Sequence, residues 1–190
     1  MHPSWEKPER IVWWLRERGG RLINWNWLWN EWIRPLGGAL VFALLIIIFI
    51  GQSFRVDGAS MENTLFDGER LWVDKVAYRF RDPRRGEIIV LNVPGNRFIK
   101  RVIALAGDTI EERGGVVYVN GQPIEEPYVD NKTRMNWGPI RVPEGHLWVM
   151  GDNRPRSDDS RGSVGFLAIE KVVGRAVFRY WPLNRIGVPK

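Results

Sequence analysis

The sequence of 190 residues contains no cysteine and only two histidines, His2 and His146. The first absence removes disulfides, cysteine-ligated zinc and thiol nucleophiles together. The second argues against a histidine-built metal site. Hydrolytic chemistry must then rest on serine, lysine and carboxylates, or on His146 alone. The formal net charge is +6, yet no contiguous basic block occurs. Such a spread excess fits solubility and attraction to a membrane surface, not nucleic-acid binding. Internal repeats and low-complexity tracts are also missing.

What is present begins with an uncharged run, LGGALVFALLIIIFIGQSF, at residues 36–54. As a helix it would span about 28 Å, close to the hydrocarbon thickness of a bilayer. Thirty-five residues precede it and no A-x-A cleavage pattern follows it. A retained anchor is therefore expected, and a cleavable signal peptide is the rival reading. Seven of the 11 tryptophans stand before the run, at Trp5, Trp13, Trp14, Trp25, Trp27, Trp29 and Trp32. Trp25, Leu28, Trp29, Trp32 and Ile33 recur at one face of a helix. Tryptophan favours the membrane–water interface, so an interfacial helix running into the anchor at Pro35 is expected. A docking face for a partner protein is the alternative.

Arg16, Arg18, Arg21 and Arg34 precede the run closely, whereas only Arg55 and Arg70 follow it closely. Positive charge concentrates on the cytoplasmic side, which sets three expected regions. Residues 1–35 form a cytoplasmic Trp-rich tail, 36–54 a single transmembrane anchor, and 55–190 an extracytoplasmic domain.

That last region reads as β throughout. ERLWVDKVAY, GEIIVLNV, RFIKRVIAL, GVVYVNGQPI, GHLWVMGD and KVVGRAVFRYWP are short Val, Ile and aromatic runs between turn formers. Asn120-Gly121 predicts a type I′ hairpin. Regular short strands without long helical patterns predict a mostly β fold, an antiparallel sheet or barrel.

Three segments of this domain carry candidate chemistry. Ser60 lies in DGASMENTLFDGERL, where the small residues Gly58 and Ala59 leave room for a substrate backbone; a plain turn residue is the alternative. Lys100 sits inside the apolar strand NRFIKRVIALAGD. Alternation puts Phe98, Lys100, Val102 and Ala104 on one face and Ile99, Arg101, Ile103 and Leu105 on the other. A lysine buried there would lose part of its proton affinity and serve as a base, unless it snorkels to water. The third segment, GDNRPRSDDSRGSVG at residues 151–165, is rich in turn formers and hydrogen-bonding groups. It offers Asp–Arg pairs to tie a loop down and a hydroxyl to orient a lysine amine. Asp152, Asn153, Asp158 and Asp159 could instead ligate calcium, although the spacing is no EF-hand and three arginines disfavour a cation.

SMENTL, KRVIALAGD and GDNRPRSDDSR, in that order after an anchor-like run, resemble the type I signal peptidase family. The resemblance covers roughly residues 36–182. It implies a membrane-bound serine endopeptidase that removes signal peptides from secretory preproteins, cutting after small residues at the positions one and three before the cut. It implies Ser60 as nucleophile and Lys100 as general base, with no cofactor and no metal. Ser157 matches the position whose hydroxyl bonds the lysine. Asp159 and Arg161 match a structural ion pair, with Asp152, Asn153 and Arg154 in the same bracing loop and Arg101 in a structural role. Met61 is expected beside the substrate cleft and the backbone N–H of Ser60 in the oxyanion hole. Gly58 stands where some members carry a second, hydroxyl donor. Asn63 and Ala106 stand where proline is common in the family. The implied partners are secretory preproteins and the lipid bilayer, with a cell-membrane location, a thylakoid membrane being the other possibility.

Two rivals stand beside this reading. One is a Ser-His-Asp hydrolase built on His146, which lacks a G-x-S-x-G elbow. The other is a membrane-tethered, non-catalytic peptide-binding β-domain.

Overall fold

A computed structural model describes residues 25–190, with the backbone alone at Trp25 and residues 46–50. Trp5, Trp13, Trp14, Arg16, Arg18 and Arg21, on which the tail and much of the charge asymmetry rest, lie outside the described residues. The chain divides into two units, Met1–Leu44 and Leu45–Lys190.

The tryptophan segment is helical, but not uniformly so. An α-helical turn α1 (Trp25–Leu28) passes into a π-helical stretch (Trp29–Ile33), which passes directly into α2 (Arg34–Ile50). The backbone N–H of Arg34 donates to the Trp29 carbonyl, five residues back. A π stretch ahead of Pro35 is a physical way to carry a helix past a residue without an N–H donor. So Pro35 lies inside a helix instead of marking a joint.

Leu36, Leu40, Val41 and Phe42 of α2 are each more than half exposed. The helix stops at Ile50, short of the end of the uncharged run, because residues 51–54 are claimed by the sheet. Gly51 pairs with Asp74 and Phe54 with Leu71, and Phe54 is buried in the core. A β-carbon at Gly51 would sit 2.5 Å from the Trp72 ring, so only glycine fits this entry point. No helix among the described residues is long and apolar enough to cross a membrane.

Eleven strands follow, as expected of a mostly β domain. They are β1 (Gly51–Arg55), β2 (Arg70–Asp74), β3 (Ile88–Val93), β4 (Asn96–Ala104), β5 (Thr109–Arg113), β6 (Val116–Val119), β7 (Gln122–Pro123), β8 (Trp137–Arg141), β9 (His146–Met150), β10 (Leu167–Ala168) and β11 (Val172–Trp181). Seven form one sheet in the order β1-β2-β11-β3-β4-β9-β10, and four form another, β7-β6-β5-β8. Every pairing is antiparallel. The Asn120-Gly121 turn joins β6 to β7 with φ of 53° and 76°, the two positive values a type I′ turn requires. The run after β2 departs from the strand expected of ERLWVDKVAY. Asp74 Oδ1 accepts the N–H groups of Val76 and Ala77 at 2.9 and 3.0 Å. That local bond turns the chain into a short helix, α3 (Ala77–Phe80).

β4 organises the domain. Over Asn96–Arg101 it pairs with β3, and only from Arg101 onward with β9. Phe98 and Val102 pack with Ile89, Leu91, Leu147 and Val149 in one cluster, while its last residues, Ile103 and Ala104, join Ile110, Val117 and Trp148 in another. Lys100 lies where this strand changes partners.

Candidate active site

Ser60 follows the edge strand β1. The β1–β2 ladder continues as far as Val56, whose N–H donates to Glu69 O at 2.8 Å, and the connecting loop is then pinned at both ends. Gly58 adopts φ +89° and its N–H donates to Asp67 Oδ1 at 2.8 Å. Beyond Ser60 the chain makes a tight turn, with the Leu65 N–H donating to Met61 O at 2.7 Å. Met61 and Leu65 are buried in the core beneath it, each contributing roughly 1.5–3 kcal/mol of apolar burial. The turn includes Asn63 at φ +86°, a conformation open to asparagine and closed to proline.

Lys100 Nζ donates to Ser60 Oγ at 2.8 Å. The lysine is 2% exposed, and the Phe98 ring lies 5.2 Å from its ammonium, as the strand alternation anticipates. Removal from water pulls its pKa down to about 8 from 10.5. The negative charges of Asp159, Asp158 and Asp152 oppose that shift, and the positive charge of Arg161 assists it. No ion pair joins the amine to a carboxylate among the described residues.

The adjacent cation is handled differently. Arg101 is 4% exposed and grips Asp152 twice, Nε to Oδ1 at 2.9 Å and Nη2 to Oδ2 at 2.6 Å. Thr64 Oγ1 donates to the same carboxylate at 2.5 Å. Arg101 also donates to Gly86 O at 2.9 Å and stacks on the Tyr128 ring at 3.8 Å. This ties the Ser60 loop, β4 and the 151–161 loop into one knot.

β9 ends at Met150, opposite Arg101, which is why the loop that follows arrives beside the dyad. The Asn153 N–H donates to Ser60 O at 3.1 Å, and Asn153 Nδ2 donates to Glu62 Oε2 at 3.0 Å. Asp159, fully buried, accepts from Gly151 N–H at 3.0 Å and from Arg161 at 2.8 and 2.9 Å. These bonds hold its carboxyl below the usual carboxylate range against the opposing cost of burial. Arg161 Nη2 donates onward to Arg154 O at 2.8 Å. Because Asp152 and Asp159 are each filled by a guanidinium, the calcium alternative has no ligand set here.

Ser157 reaches the site without the expected bond. Its Oγ is buried and makes no hydrogen bond, to Lys100 or to any other described group. It lies close enough to Asp159 to favour the charged carboxylate, but outside bonding geometry. A β-carbon at Gly151 would fall 2.2 Å from this Oγ and 2.4 Å from Ser60 O. Packing against Gly151, not a bond to the base, fixes Ser157.

Several supporting residues escaped the sequence reading. Glu126 forms a buried ion pair with Arg154, Thr64 and Tyr128 hold Arg101, and Thr133 accepts from or donates to Arg161 and Glu112. Glu126 and Thr133 stand in a loop with no periodic pattern, so nothing local announced them. Thr64 was visible within SMENTL but indistinguishable from a turn residue. Among the described residues the His146 ring bonds only the Glu144 carbonyl, at 2.9 Å, which removes the support for a histidine-based hydrolase.

A cavity of about 240 Å³ runs up to Ser60. Its walls come from residues 52–57 of β1 and its continuation and from Arg97, Phe98 and Ile99 of β4, with Met61 and Val90 between. β1 pairs with β2 alone, and β4 before Arg101 with β3 alone. Both walls therefore present strand edges free among the described residues, an arrangement suited to an extended peptide. A larger open depression of about 870 Å³, between the β3–β4 turn and the start of β11, contains neither Ser60 nor Lys100.

The family described as "Signal peptidase, peptidase S26" matches residues 29–181. The signal peptidase I of Leptolyngbya laminosa is 41% identical over 167 residues, which are 83% of this chain and 82% of that protein. The signal peptidase I of Bacillus licheniformis is 38% identical over 168 residues, 82% of this chain and 90% of that protein. A crystal structure of a signal peptidase I from Enterococcus faecalis is 35% identical and covers 51% of this chain and 98% of that chain, with a TM-score of 0.45.

Proposed function

The chain belongs to the signal peptidase family so described, and from that premise we propose that it removes signal peptides with Ser60 as nucleophile and Lys100 as base. One observation carries the assignment of residues: a buried lysine amine, with a lowered pKa, lies 2.8 Å from a serine hydroxyl at the end of a peptide-sized cleft.

In the neutral state the Lys100 amine accepts the Ser60 hydroxyl proton. Ser60 Oγ attacks the scissile carbonyl carbon, and the oxyanion forms toward the Ser60 backbone N–H. Gly58 carries no hydroxyl, and its N–H is already given to Asp67. When the C–N bond breaks, the Lys100 ammonium returns its proton to the leaving amine. Water then hydrolyses the ester, giving a proton to Lys100 and restoring Ser60. Asp152, Asn153, Asp159, Arg161 and Arg101 position these two groups without meeting the substrate.

The substrate is a secretory preprotein whose extended segment lies between the β1 and β4 edges. Small side chains one and three residues before the cut fit the shallow apolar floor of Phe54, Met61 and Ile99. The uncharged run of α2 after Arg34, exposed over residues 36–45, supports anchoring at a membrane, with the tail cytoplasmic and the β domain outside. At 17 residues α2 spans only about 26 Å, so the tryptophan turns before it share the interface. Protease protection on membranes tests that topology.

For the chemistry, detergent-solubilised protein is incubated with a preprotein across pH. Cleavage should rise with a limb near pH 8, well below a free lysine, and vanish in Ser60→Ala. Cleavage by Ser60→Ala at the wild-type rate would overturn the assignment. A protein that binds the preprotein without cutting it would be the non-catalytic β-domain.

A further inference from the structure

The cleft leading to Ser60 is apolar at its floor but not neutral at its rim. Three charged residues line it: Arg55, Asp57 and Arg97. Arg55 and Asp57 face each other at 3.6 Å, and both are largely exposed. Arg97 has no ion pair among the described residues. Its cross-strand partner on β3 is the uncharged Asn92. Its guanidinium instead lies over the ring of Phe54, 5.5 Å from the centroid, and Phe54 is itself buried in the floor.

This placement has two consequences. An arginine stacked on an aromatic ring is held in position while its edge donors stay free for a carboxylate. Arg97 also precedes Lys100 by three residues on β4, about 10 Å along the strand. A peptide extended beside that edge, with its scissile carbonyl at Ser60, passes Arg97 a few residues before the cut.

We propose that Arg97 makes the cleft selective for an acidic side chain, and against a basic one, two to five residues before the cleavage point. The proposal rests on the peptidase reading and names a property of the substrate that the dyad does not determine. An exposed charge contact of this kind changes specificity by about two- to tenfold and weakens as salt rises.

The test uses the full chain in detergent. Peptide substrates carry alanine one and three residues before the cut and Glu, Gln or Lys in turn at the second, fourth and fifth positions before it. Wild-type kcat/KM should fall in the order Glu, Gln, Lys at one of these positions at least. Arg97→Lys should keep that order, Arg97→Ala should flatten it, and Arg97→Glu should invert it. Added salt should shrink the spread in wild type and in Arg97→Glu alike. An order that Arg97→Glu leaves unchanged, in a protein that cuts the peptides, overturns this proposal alone. A wild type that cuts none of them overturns the peptidase reading and this proposal with it.

Discussion

Lys100 and Arg101 are consecutive cations on β4, both nearly removed from water at 2% and 4% exposure, yet their surroundings differ in kind. Arg101 faces the loop after β9, where Asp152 meets its guanidinium twice and Thr64, Gly86 and Tyr128 complete the shell. Lys100 faces Ser60, and among the described residues its amine's one hydrogen bond goes to that neutral hydroxyl. Burial with a carboxylate keeps a cation charged and turns it into a brace. Burial beside a hydroxyl destabilises the charge and leaves an amine able to take a proton. One strand thus carries a carboxylate-paired guanidinium and an amine of lowered pKa one residue apart, through side-chain type and partner together.

The largest expected effect is catalytic. Ser60→Ala and Lys100→Ala should each lower preprotein cleavage by about four orders of magnitude or more, with unchanged circular dichroism. Lys100→Arg should fail equally, since a guanidinium does not deprotonate. An active Lys100→Arg would erase the distinction between the two cations.

Next comes the brace. Arg101→Met leaves Asp152 buried with one hydroxyl partner, which should cost about 3–5 kcal/mol in denaturant unfolding. Arg101→Met combined with Asp152→Leu should recover much of that loss. If the single variant unfolds like wild type, the pair is not the tie inferred here.

Lys100 gives a smaller effect of characteristic sign. Its folded pKa of about 8 lies below the ordinary 10.5, so between those values the unfolded chain binds the proton and the folded chain does not. Stability should therefore rise with pH across that window, by about 3 kcal/mol, and the gain is absent below pH 8. Lys100→Met should abolish this rise, as measured by urea unfolding at pH 7.5 and 10.5 (about three units apart, spanning the window).

The smallest effect sharpens the comparison at Ser157. Its hydroxyl is buried without a hydrogen bond, so Ser157→Ala should change stability by less than about 1 kcal/mol. Cleavage should fall less than tenfold and the pH limb should stay in place. A shifted limb would mean that the hydroxyl reaches Lys100 during turnover.

Much of the candidate site was legible because it lies in short contiguous motifs. Ser60 followed two small residues, Lys100 sat in an apolar strand, and Asp159 with Arg161 sat two residues apart, within reach of each other in any tight loop. The Asn120-Gly121 hairpin was equally plain, since its positive φ values are a local demand. Other features depended on distant partners. Gly51 and Phe54 looked like the end of an apolar helix until pairing with β2 claimed them. Glu126 acquires meaning only opposite Arg154, 28 residues further along.

The sequence by itself determined the residue types, their local spacing and the alternation that sets Lys100 and Arg101 on opposite faces of β4. Those are properties of neighbouring residues and of backbone sterics. Tertiary structure alone decided which cation found a carboxylate. That depended on β9 meeting β4 at Arg101, which brings Asp152 to one residue and leaves the other facing Ser60 from 40 positions earlier. The cost of burying a charge is set by what surrounds it in space, so two cations with the same sequence neighbourhood acquired different partners only on folding.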